Sequence, residues 1–138
     1  MEMFNNITLK RVISPVSVAD NTAQVGTVVD HQGFGQAVYA IATGSLADAD
    51  VTFTVLLEES DASGSGFAAV ADEDLLGTEV LAAFQFDDDN ECRKLGYKGK
   101  KRYTRMTITP ANNASAALMS AVCILGSPAV APTPNPPV

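Results

Sequence analysis

Tryptophan is absent from these 138 residues, histidine occurs once, at His31, and cysteine twice, at Cys92 and Cys123. Two cysteines are too few for a disulfide framework and show no metal-ligand spacing. Small buried thiols within strands are the expectation. No run of about 18 apolar residues occurs, so no membrane-spanning helix is expected. The stretch Met1–Arg11 has no basic region followed by an apolar core. No signal peptide is therefore expected, and synthesis and folding in a cytoplasm follow from that reading. Long leucine-rich stretches are missing as well. Ala, Val and Thr dominate instead, and small and β-branched residues suit β-layers better than helix bundles.

The hydrophobic share of 46% is ordinary for a globular chain. A single domain of this size buries roughly 68% of its unfolded surface, enough for a core without disulfides or metals. Short apolar segments alternate with turn-forming clusters, the pattern of a sandwich or barrel. Ile7, Leu9 and Ile13 mark an arm or first strand closed by Ser14-Pro15, and Val16 and Val18 a short edge strand. Strands are expected at 24–30, 34–43, 51–58, 78–86, 91–97, 101–109 and 117–125. The clearest is 51–58, where Val51, Phe53, Val55 and Leu57 alternate with polar residues at a period of two. Helix formers over 67–76, followed by Gly77, predict one short helix. Asp87–Asn90 reads as a hairpin turn, and Lys98-Gly99-Lys100 as the link between the next two strands. The apolar run 117–125 suggests burial on both faces. Five prolines follow Gly126, and such a tail should be extended or disordered. The expected fold is all-β, an antiparallel two-sheet sandwich of jelly-roll type with at most one short helix. Residues 1–20 are read as an arm or first strand, 21–126 as the sandwich and 127–138 as the Pro-rich tail.

Catalytic and metal-binding patterns are thin. His31 beside Asp30 lacks a nucleophile in a strand–turn–helix elbow and reads as a surface residue. Asp87, Asp89 and Glu91 alternate like calcium ligands, without the Gly and final Glu of an EF-hand loop. Asp72-Glu73-Asp74 reads as a solvated helix start. Gly96 and Gly99 among lysines do not complete a phosphate-binding loop. No cofactor or metal is expected, and binding or structure is favoured over catalysis.

Charge is the informative feature. The net charge is −7, which argues against direct nucleic-acid binding. Yet seven of the nine basic residues fall between Arg93 and Arg105, and outside that stretch two bases stand against sixteen acids. Arg93, Lys94, Lys98, Lys100, Lys101, Arg102 and Arg105, with Tyr97 and Tyr103 as aromatic anchors, form the candidate partner-binding surface. The alternative is a solvated edge whose lysines deter stray strand pairing.

Five segments carry a resemblance. They are Gln24-Val-Gly-Thr-Val-Val-Asp-His-Gln-Gly-Phe, Tyr39-Ala-Ile-Ala-Thr-Gly-Ser-Leu-Ala-Asp-Ala-Asp, Val51-Thr-Phe-Thr-Val-Leu-Leu-Glu-Glu, Asp72-Glu-Asp-Leu-Leu-Gly-Thr-Glu, and Arg93 through Pro110. Over about Asn21–Pro128 the chain resembles small proteins encoded in the head-gene modules of tailed bacteriophages, beside the major capsid protein. The resemblance implies a virion component on the capsid exterior, a decoration or cement protein whose partner is the major capsid protein. A dimer or trimer on local symmetry axes is the expected assembly, with no membrane and no direct nucleic-acid contact. A head–tail connector or tail component is the alternative, and a carbohydrate-binding module a more distant one.

Overall fold

The computed structural model describes residues 2–137, and two antiparallel sheets face each other across one core. In chain order the strands are β1 (Ile7–Val18), β2 (Gln24–Val25), β3 (Val29–Asp30), β4 (Phe34–Leu46), β5 (Thr52–Ser60), β6 (Ala68–Ala69), β7 (Leu75–Leu76), β8 (Phe84–Gln85), β9 (Cys92–Tyr97), β10 (Tyr103–Ala111) and β11 (Ala117–Pro128). One short helix, α1 (Glu79–Ala82), precedes β8. The first sheet runs β1-β11-β4-β9-β7. The second runs β2-β10-β5-β6, with β3 also on β10 and β8 also on β5. The expected all-β, two-sheet antiparallel architecture is the observed one.

Alternation builds the core. On β5, Phe53, Val55 and Leu57 point inward, and Phe53 stacks on Phe84 with ring centroids 4.5 Å apart. From the facing sheet come Tyr39 and Ile41 of β4, Leu95 of β9, and Ala121, Cys123 and Leu125 of β11. Cys123 is a buried thiol, and burial pushes its pKa up to about 12. Cys92, by contrast, is exposed. Gly26 stitches the two sheets at one edge. Its N–H donates to the Met106 carbonyl, and the next N–H, of Thr27, donates to the Val12 carbonyl. A Cβ at Gly26 would lie 2.6 Å from Val12 Cγ1 and 2.7 Å from the Met106 carbonyl oxygen, so only glycine passes there.

Several local expectations change. Ser14-Pro15 does not end the first strand. β1 continues through it with register shifts between Arg11 and Val16, a bulge that an edge strand tolerates. Residues 7–18 pair along β11 from Gly126 to Ala117, so they form a full edge strand of the first sheet. β11 runs on to Pro128, opposite Phe34, and so enters the stretch read as tail. Beyond it Thr133 is buried, donating its hydroxyl to the Ile7 carbonyl and its N–H to the Asn5 carbonyl. β11 is also buried on one face only, because Leu118 and Val122 point outward where no layer covers the sheet.

The helix lies one element later than expected. Residues 72–74 form a single 3-10 turn, while Thr78 caps α1 by accepting a hydrogen bond from the Leu81 N–H at 3.0 Å. α1 sits where β5 lacks a strand neighbour between β8 and β6. Glu79 accepts the Leu57 N–H there at 2.7 Å, replacing a ladder bond.

Neither expected hairpin forms. β8 belongs to the second sheet and β9 to the first, so Asp87–Asn90 crosses between sheets. Residues 98–102 cross back, because β10 lies in the second sheet beside β5.

Candidate interaction surface

The crossover after β9 is held from below by Tyr97. Its ring is buried, its hydroxyl donates to Glu59 Oε1 at 2.7 Å, and the hydroxyl oxygen itself accepts the Lys101 N–H at 3.1 Å. Burial, then the Glu59 carboxylate, raises the phenol pKa well above its usual value. Gly99 lies directly over this ring, where a Cβ would come within 2.5 Å of the hydroxyl oxygen. The tight corner therefore depends on Gly99 and Tyr97 together.

Beside the corner runs a polar chain into the core. His31 Nε2 lies 2.6 Å from Thr104 Oγ1, and Thr104 Oγ1 lies 2.6 Å from the Tyr39 hydroxyl. The imidazole packs edge-on against Tyr97 at 5.2 Å, and the backbone N–H of His31 donates to the Arg102 carbonyl. His31 is thus half-buried rather than a surface residue. Burial lowers its pKa, with Asp30 opposing the shift, so the imidazole is neutral at neutral pH. Tyr39, fully buried, has its phenol pKa raised chiefly by burial. Thr104, Tyr39 and Glu59 support the corner, and their signal in the sequence is faint: polar residues at inward or strand-edge positions.

The basic residues do not form one surface. Lys94 points outward from the first sheet, and Arg105 outward from the second, on opposite faces of the sandwich. Arg93 faces inward at the far end of β9, bridged to Asp88 at 3.2 Å and Glu91 at 2.7 Å. Arg105 pairs with Glu58 at 2.9 Å, directly across the β10–β5 ladder, and lies over the Phe67 ring. Arg102 makes a two-pronged bond to Asp30, both contacts 2.9 Å, with its guanidinium 5.0 Å from the half-buried Tyr103 ring. That bond holds the Asp30 carboxyl below its usual pKa. Lys101 bridges Asp61 at 2.7 Å.

Four of the seven cations are therefore spent on the body's own carboxylates. Lys94, Lys98 and Lys100 are exposed and, among the described residues, without such a partner. The acidic residues near β9 also have local tasks: Asp88 accepts the Gln85 N–H and Asp89 the Leu46 N–H. Among the described residues no three His, Cys, Asp or Glu side chains gather as a metal site.

Between the crossover and residues 31–37 lies an open cleft of about 310 Å³, lined by His31, Gln36, Tyr97, Lys98, Lys100 and Arg102 among others. A second depression of about 430 Å³ continues from it over the outside of the first sheet, past Val38, Leu76 and Ile124. Tyr97 and Lys98 border both.

No protein family and no curated protein matches the chain. Solved structures share its architecture. The PBSX exported protein XepA superposes with a TM-score of 0.55 at 12% identity, over 86% of this chain and 37% of that one. The CBM22-1–GH10 modules of the Clostridium thermocellum xylanase 10B, solved with xylohexaose, give 0.46 at 12% identity over 96% and 28% of the two chains. The xylan-binding module CBM15 gives 0.43 at 11% identity over 94% and 96%. The chain thus spans well under half the length of the first two structures. What the likeness to XepA shows is the fold alone, an antiparallel two-sheet β-sandwich.

Proposed function

We propose that the chain is a structural component of a tailed-phage head, bound to the capsid exterior as a decoration protein that stabilises the shell without catalysing a reaction. The carrying observation is the distribution of charge. Lys94, Lys98 and Lys100 keep their charge exposed on a body with seven more acids than bases, so β9 and the crossover after it present cations to a negative partner. The resemblance of residues 21–128 to head-module proteins supplies the partner, the major capsid protein. The interlocked sandwich supplies a rigid body, and repetition over a shell lets modest contacts suffice. Particles lacking the chain should release DNA at lower temperature or lower salt than complete particles. Equal robustness of the two preparations would remove the stabilising role.

A carbohydrate-binding reading draws on the cleft beside His31, which offers polar groups from Gln32, Gln36, Lys98 and Lys100. Its Tyr97 ring is buried instead of laid open as a platform for a sugar. Titration with xylohexaose separates the readings: heat of binding supports the module, and none is expected of a decoration protein.

A further inference from the structure

The outer face of the first sheet is apolar and uncovered. One register line crosses all five strands as Leu9, Ile124, Val38, Gly96 and Leu76. The neighbouring line reads Arg11, Val122, Ala40 and Lys94. Leu9 is 49% exposed, Leu76 55%, Leu118 43% and Val122 38%, high values for large side chains, and they spread from one edge of the sheet to the other. Two glycines flatten the face. A Cβ at Gly96 would lie 2.7 Å from Leu76 Cβ, and one at Gly44 2.9 Å from Leu118 Cβ, so both leucines lie down on bare backbone.

Charge separates this face from the rest of the molecule. The five strands β1, β11, β4, β9 and β7 contain no Asp and no Glu, although the chain has sixteen. They do contain Lys10, Arg11, Arg93 and Lys94, four of its nine bases. Arg11 and Lys94 flank the apolar rows on the outward side. Lys98 continues the fringe into the cleft.

We infer that this sheet face is the docking surface, and that its occupant is a different protein presenting an apolar patch fringed with carboxylates. The inference deepens the decoration reading and rests on it for identifying that protein with the shell. A second copy of the chain is the obvious competitor, since the same β4 and β11 segments are the longest apolar runs. Two considerations disfavour it. A copy stacked face to face brings Arg11 and Lys94 against a surface carrying the same cations and no acid, leaving charges desolvated and unpaired. The area is also small. Five strands about 4.8 Å apart and about 20 Å of outward-facing β11 give roughly 400 Å². A standard stable interface buries about 800 Å² per partner. The face needs the adjoining basic corner to complete a footprint, and that corner is cationic too.

The test uses empty heads of the parent phage lacking this chain, with the full-length protein added back. The variants are Lys94→Glu and the double substitution Leu76→Glu/Val122→Glu, all at exposed positions. A circular dichroism melt confirms that each remains folded, and the single exposed Lys94→Glu serves if the double variant does not. Wild type should bind the heads and sediment alone as a monomer. The double variant should bind roughly a hundredfold more weakly, two interface contacts at about tenfold each, and Lys94→Glu about tenfold more weakly. Wild-type occupancy by both variants would overturn the docking face and leave the decoration reading standing. A wild-type dimer in solution that the double variant breaks would overturn the partner in favour of a second copy. Failure of wild type to bind heads would remove the decoration reading and this partner with it.

Discussion

His31 shows how much one side chain can hide. A lone histidine beside an aspartate reads as surface, yet its ring is wedged between Thr104 and Tyr97. Nothing local signals this, because its partners lie 73 and 66 positions away and only the sheet pairing brings them together. The consequence is a pH dependence of known sign. Burial depresses the folded-state pKa below 6.5, so as pH falls through that value the unfolded chain takes up the proton first. Stability is full above pH 6.5 and declines on acidification toward the folded-state value. Melting temperatures between about pH 5 and 7.5 should show this slope in wild type and lose most of it in His31→Gln. An unchanged slope would mean that the imidazole is solvated. Tyr97 makes a second prediction. Tyr97→Phe strips Glu59 and the Lys101 N–H of their shared hydroxyl, and should cost about 1–3 kcal/mol in chemical denaturation.

Element by element, the strongest local pattern held. β5 announced itself through its period of two, and the inward set Phe53, Val55 and Leu57 is the observed one. Pairing partners were not legible. A short glycine-containing link between two amphipathic strands has the signature of a hairpin, and Lys98-Gly99-Lys100 carries it. The inward faces decide otherwise: Leu95 packs from one sheet and Met106 from the other. The same geometry disperses the basic stretch. Consecutive strand residues point to opposite faces, so a run of cations in sequence becomes several separate sites in space. The helix was misplaced because Asp72-Glu73-Asp74 looked like a helix start, whereas Thr78 is the residue that caps one. Glu79 gives this element a measurable role. Glu79→Ala leaves the Leu57 N–H without its acceptor and should destabilise the protein by about 1–3 kcal/mol. Glu79→Gln keeps an acceptor oxygen and should recover much of that loss. Equal melting temperatures for all three proteins would show that α1 does not close the gap in the second sheet.

At the scale of the whole molecule, the sandwich segregates charge between its layers. Every acid lies off the strands of the first sheet, while the second sheet and the connecting loops carry the carboxylates that neutralise Arg93, Lys101, Arg102 and Arg105. Attachment through the remaining exposed lysines should weaken as salt rises, since screening falls to about 8 Å near physiological ionic strength. Head binding measured across a salt series should show that decline, and a flat response would assign attachment to apolar contact alone. The central claim, that this chain coats a phage head, is tested most directly by its copy number relative to the major capsid protein in purified particles. A decoration protein is predicted in fixed proportion to the shell subunits, in numbers that scale with the capsid lattice. Absence from the particle, or only the few copies of a single ring at one vertex, would contradict the account.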